Sequence, residues 1–144
     1  MTTFRIILVE NDEDEQLFMR EGFEKAGGFE VLAQVNNGEG LLEWLEAHPG
    51  QQPDLILSDL NMPGMNGMDI IEAMQLMPQG KKVPVVITST SSTRSIMDKC
   101  LEAGASSYVV KPDTFIHYEP FVHSLYQLII DKGIVQRQPT GTGN

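Results

Sequence analysis

Leu55-Ile56-Leu57-Ser58-Asp59-Leu60-Asn61-Met62-Pro63-Gly64-Met65-Asn66-Gly67 decides the fold of this chain. Its short apolar run reads as a buried strand. The Pro, Gly and Asn residues behind it read as a turn. Between the two stands a single carboxylate, Asp59. Ligands of α/β sheets bind beyond the carboxyl ends of the strands. Asp59 is therefore expected at a sheet rim, with rigid strand on one side and a fixed turn on the other.

Working outward, the same kind of strand recurs. Arg5-Ile6-Ile7-Leu8-Val9 is an apolar run ending in acids, and residues 30–35, 83–88 and 107–110 supply three more. Helical spacing predicts helices over 14–27, around Leu41, Leu42, Trp44 and Leu45, over 68–77, and around Ile96, Met97, Cys100 and Leu101. A last helix is expected over 115–132. The first helix carries Leu17, Phe18, Phe23 and Ala26 at helical spacing, and Ser91-Ser92-Thr93 can cap the fourth. Continuous apolar strands alternating with helices imply a parallel sheet covered on both faces. Five such units suit an α/β doubly wound sheet of order 2-1-3-4-5, flavodoxin-like, rather than an eight-fold barrel. Gly38-Glu39-Gly40 lacks the third glycine of a dinucleotide loop.

The chain has 144 residues, enough for one domain with a proper core. That domain is expected over 4–132, with the polar stretch 133–144 as a disordered tail. Twenty acids against ten Lys and Arg give a formal net charge of −10. This argues against nucleic acid as a direct partner, because phosphate binding needs a basic face. It fits a protein that binds cations or basic protein surfaces. No apolar run is long enough to cross a bilayer, and the first residues lack the pattern of a signal peptide. A cytoplasmic location with no membrane partner is expected. One cysteine, Cys100, excludes an internal disulfide and a Cys metal cluster, and it is expected in the core. His48, His117 and His123 are scattered without ligand spacing.

The strand ends carry the chemistry. The first ends in Glu10-Asn11-Asp12, the third in Asp59, the fourth in Thr88-Ser89-Thr90 and the fifth in Lys111. In the order 2-1-3-4-5, strands one and three are neighbours, so their acids face each other. Clustered carboxylates repel unless a cation sits among them, and an oxygen-rich cluster suits Mg²⁺. Lys111 offers a point charge for phosphate oxygens, and Ser89 a hydroxyl. Such a set suits transfer of a phosphoryl group onto a carboxylate.

With these residues in this order, the chain resembles the receiver domain of bacterial two-component response regulators, in particular the stand-alone chemotaxis type. The resemblance rests on the acids after the first strand, on Asp59 with Asn61-Met62-Pro63-Gly64-Met65-Asn66-Gly67, on Ser89, on Gly104-Ala105, and on Tyr108-Val109-Val110-Lys111-Pro112. It covers about residues 4–131. It implies that Asp59 is the phosphoacceptor, and that Glu10, Asn11, Asp59 and the backbone carbonyl of Asn61 hold Mg²⁺. It implies that Lys111 pairs with the acceptor and then with the phosphoryl group, commonly with a cis peptide before the proline matching Pro112. Ser89 resembles the switch hydroxyl and Tyr108 the aromatic that rotates inward. The family usually has two acids followed by Asn, whereas this chain has Glu10-Asn11-Asp12.

The implied function is a single-domain phosphorylation switch rather than an enzyme. Its partners would be a sensor histidine kinase or histidine phosphotransfer protein and a downstream protein target. The protein itself would be a monomer or a weak homodimer. A Mg²⁺-dependent phosphohydrolase is a rival reading. It wants a second acid two residues beyond the nucleophile, where this chain has Asn61. A binding module that is never phosphorylated is another, supported by Asn11.

Overall fold

The computed structural model describes residues 2–78, 82–112 and 118–135. Five parallel strands, β1 (Phe4–Val9), β2 (Phe29–Val35), β3 (Leu55–Asp59), β4 (Val85–Ser89) and β5 (Ser107–Val110), form one sheet in the order β2-β1-β3-β4-β5. The helices are α1 (Glu13–Ala26), α2 (Gly38–Ala47), α3 (Gly67–Gln75), α4 (Arg94–Ala103) and α5 (Tyr118–Lys132). This is the doubly wound topology that the strand and helix alternation predicts. Residues 113–117, where the last helix was expected to begin, lie outside the described residues.

Alternation along the strands divides the core into two layers. Ile7, Val9, Ile56, Val85, Ile87 and Tyr108 pack with residues of α2, α3 and α4. Ile6, Leu8, Leu55, Leu57 and Val86 pack with residues of α1 and α5. Every residue of β3 and of β4 is buried, which is why both read as unbroken apolar runs. Cys100 is buried in the first layer, as expected. Ile134 and Val135 still pack against the second layer, and residues 136–144 of the expected tail lie outside the described residues.

Three local expectations change. Phe23 is buried and Phe18 and Ala26 pack against the second layer, but Leu17 is 56% exposed; α1 also buries Glu15, Met19 and Gly22, which with Phe23 are spaced for one helix face turned toward α5. Thr93 caps α4 without a side-chain bond, while Ser91 Oγ accepts from the Thr93 N–H at 3.2 Å. No cis peptide bond occurs among the described residues, so the Lys111–Pro112 bond is trans.

Candidate functional site

Asp59 ends β3, and its Cα pairs in register with Thr88 of β4. Its position is fixed from both sides. Leu60 N–H donates to the Thr88 carbonyl at 3.0 Å, and Gly67 N–H returns to the Leu60 carbonyl at 3.1 Å. A Cβ on Gly67 would lie 2.8 Å from the Asp59 carbonyl oxygen, closer than real Cβ atoms come. Only glycine lets α3 start against the strand end. Asn66 and Asp69 then close α3 with a capping box.

The same alternation that builds the core aims the site. Glu10 continues the Ile6–Leu8 row, Asp59 continues the Leu55–Leu57 row, and Lys111 follows Val109, so all three lean toward α1 and α5. There they meet. Lys111 Nζ lies 3.0 Å from Glu10 Oε1, 2.9 Å from Glu15 Oε2 and 3.1 Å from Asp59 Oδ1. Its side chain is only 8% exposed. Glu15 Oε2 also accepts from the Tyr118 hydroxyl at 2.5 Å. Ser89 continues the Val85–Ile87 row, on the α3 and α4 side of the sheet.

Three buried carboxylates share one ammonium, and the electrostatics follow. Burial pushes Glu10 up to about 7 and the nearby Asp59 charge adds to this, against the Asp12 N–H and Lys111, which pull it down. Burial likewise raises Asp59, with Lys111 opposing. For Lys111, burial works against the charge, but hydrogen bonds and charges from Glu15, Asp59 and Glu10 outweigh it, so the ammonium holds its proton more tightly than usual. Burial and then Glu15 push the Tyr118 hydroxyl upward.

The sequence-predicted residues are partly gathered here. Glu10, Asp59 and Lys111 come together. Asn11 and Asn61 sit exposed in the loops just beyond β1 and β3. Asp12 is the N-cap of α1, accepting from Glu15 N–H at 2.9 Å. Ser89 Oγ accepts from Ser91 N–H at 3.2 Å, and Tyr108 donates its hydroxyl to the Ser91 carbonyl at 2.8 Å. Tyr108 is buried. Thr88 buries a hydroxyl that finds no partner, the one such side-chain atom among the described residues.

Among the described residues, no three His, Cys, Asp or Glu side chains form a cation site by themselves. The rim nonetheless suits a hard divalent ion in its donor chemistry. Its donors are oxygens, and the buried carboxylates exceed the one ammonium that neutralises them.

The family model described as the response regulator receiver domain matches residues 6–117. This chain belongs to that family. The receiver domain is 34% identical to the transcriptional regulatory protein PrrA of Mycobacterium tuberculosis over 112 residues, 78% of this chain and 45% of that protein. It is 29% identical to the chemotaxis protein CheY of Thermotoga maritima over 109 residues, 75% of this chain and 85% of that protein. The chain thus spans less than half of PrrA. Among solved structures, the phosphorylated cyanobacterial phytochrome response regulator RcpA has a TM-score of 0.78 at 22% identity, covering 94% of this chain and 100% of that one. The Mn²⁺-bound response regulator Rcp1 has a TM-score of 0.69 at 21% identity, covering 94% and 97%. These two likenesses support the fold of the receiver.

Two members of the receiver's buried cluster, Glu15 and Tyr118, were not singled out from the sequence. Glu15 reads there as one acid in the run from Glu10 to Glu15, and its hydroxyl partner stands 103 residues away.

Proposed function

We propose that this receiver accepts a phosphoryl group on Asp59 from a phosphohistidine of a sensor histidine kinase or histidine phosphotransfer protein, and that a protein-binding face changes in response. The observation that carries this reading is the buried contact of Lys111 Nζ with Asp59 Oδ1 at 3.1 Å. An Asp59 carboxylate oxygen attacks phosphorus. The O–P bond forms as the N–P bond to the donor imidazole breaks, and that electron pair returns to the ring nitrogen. Burial makes Asp59 more basic than an ordinary carboxylate, which favours it as the attacking group. Lys111 holds it in place and meets the charge that arrives with the phosphoryl oxygens. Glu10, Asn11, Asp59 and the Asn61 carbonyl would hold Mg²⁺, which when bound supplies further positive charge at those oxygens.

Ser89 is set for the switch. Its oxygen accepts from Ser91 N–H, which leaves its own proton free to donate to a phosphoryl oxygen. A shift of Ser89 would be felt at Ser91, whose carbonyl holds Tyr108. The responding face is then α4, β5 and α5. An apolar cavity of about 520 Å³ lies at this face, lined by Val109, Val110, Pro112, Phe121, Leu125 and Leu128. No helix among the described residues is long and apolar enough to cross a membrane, in keeping with a cytoplasmic location.

The test is intact mass after incubation with acetyl phosphate. A Mg²⁺-dependent phosphoryl adduct is expected, and it should vanish in Asp59→Asn. A folded protein that takes no adduct would point instead to a receiver that signals by binding alone.

A further inference from the structure

Lys111 has three ammonium protons, and each faces a different carboxylate: Glu10, Glu15 and Asp59. Phosphorylation of Asp59 needs one of them for a phosphoryl oxygen. The shortest of the three contacts is the one to Glu15, at 2.9 Å. Glu15 is buried, 5% exposed, and Tyr118 is 2% exposed. Lys111 and the Tyr118 hydroxyl bind the same oxygen, Glu15 Oε2, at 2.9 and 2.5 Å. They compete for its charge. The arrangement depends on a close crossing of α1 and α5, since a Cβ on Gly22 would lie 2.6 Å from Tyr118 Cβ.

We propose that Glu15, restrained by Tyr118, is a positioning residue that latches Lys111 and limits how strongly the lysine binds a phosphoryl group on Asp59. The inference rests on the phosphoacceptor reading of Asp59. Glu15 holds part of the ammonium's charge away from the acceptor. Tyr118 weakens that hold by donating to the same oxygen. Removing Glu15's charge therefore releases Lys111, whereas removing the Tyr118 hydroxyl tightens the latch. Both changes weaken the Tyr118–Glu15 hydrogen bond, one by removing the acceptor's charge and the other by removing the donor, yet they act with opposite sign.

The experiment compares wild type, Glu15→Gln and Tyr118→Phe, each checked for folding by circular dichroism. The first readout is affinity for beryllofluoride, a phosphoryl mimic, at saturating Mg²⁺. Glu15→Gln should bind it about tenfold tighter and Tyr118→Phe several-fold weaker, from the strength of a hydrogen bond to a charged group. The second readout is the ¹H–¹⁵N signal of the Lys111 ammonium in metal-free protein. It should be sharp in wild type and in Tyr118→Phe, and broadened by proton exchange in Glu15→Gln. Affinities that fall together in both variants would mean a merely structural role, and unchanged affinities would mean no role; either overturns the latch. If Tyr118→Phe fails to fold, Glu15→Gln decides alone: tighter binding with a broadened signal supports the latch, and any other result overturns it. Wild type that takes no beryllofluoride overturns the phosphoacceptor reading and the latch with it. Wild type that takes it normally while the variants show neither change overturns only the latch.

Discussion

Glu10 is a carboxylate raised from 4.5 to about 7 by burial first and by Asp59 second. Its folded form therefore binds protons more tightly than its unfolded form. Between about pH 4.5 and about pH 7 the folded state carries more protons, so stability falls as pH rises through that window. Asp59, also raised, acts in the same direction. Without divalent ions, the urea midpoint should decline from about pH 5 to about pH 8, and Glu10→Gln should flatten the decline. A midpoint that rises across the window, or a slope unchanged in Glu10→Gln, would contradict the assignment. At this scale much of the site was legible. Glu10, Asp59, Ser89 and Lys111 stand at strand ends, and the strand order alone brings those ends to one edge. Glu15 was not, because a carboxylate in the first turn of a helix ordinarily faces water and serves the helix dipole. Its spacing from Met19 and Gly22, four and then three residues, was the available signal.

The turn between β3 and α3 is the element that presents Asp59. It closes over Gly67, where an added Cβ would meet the Asp59 carbonyl at 2.8 Å, and Ile87 Cδ1 and the Leu60 Cα at 3.0 Å. Two of these three neighbours are backbone, which cannot yield by changing rotamer. Gly67→Ala should cost about 1–3 kcal/mol in stability and slow phosphoryl uptake, because any relief moves Asp59. Urea unfolding and the time course of adduct formation would check both; unchanged values would show the turn to be more pliant than its contacts imply. Helix boundaries were read within a few residues, and Phe18, Phe23 and Ala26 of α1 do pack inward, but Leu17 does not. Leu17 is the more apolar residue by type, yet the close approach of α5 at Gly22 selects the face bearing Glu15 and Met19. Packing between distant segments decides that choice, and periodicity within one helix does not carry it.

As a whole molecule, the receiver places its chemistry at the carboxyl edge of a sheet with two unlike sides. Lys111, Glu10, Glu15 and Tyr118 lie toward α1 and α5, while Ser89 and Tyr108 lie toward α4. Asp59 stands between them at the neighbouring ends of β1, β3 and β4. Under the proposed reading, Lys111 on the first side holds the charge at Asp59, and a phosphoryl group there would reach toward Ser89 on the second. The topology was readable because the central strands are unbroken apolar runs. The net charge of −10 says little about the site, whose balance depends on which acids are buried. The central claim is that Asp59 itself bears the phosphoryl group. The most direct measurement is borohydride reduction of the acetyl-phosphate-treated protein followed by peptide mass mapping, since hydride converts an acyl phosphate to an alcohol at the modified carboxyl. The account predicts homoserine at position 59 and aspartate unchanged at positions 12 and 14. Reduction at Asp12 or Asp14, with position 59 intact, would contradict it.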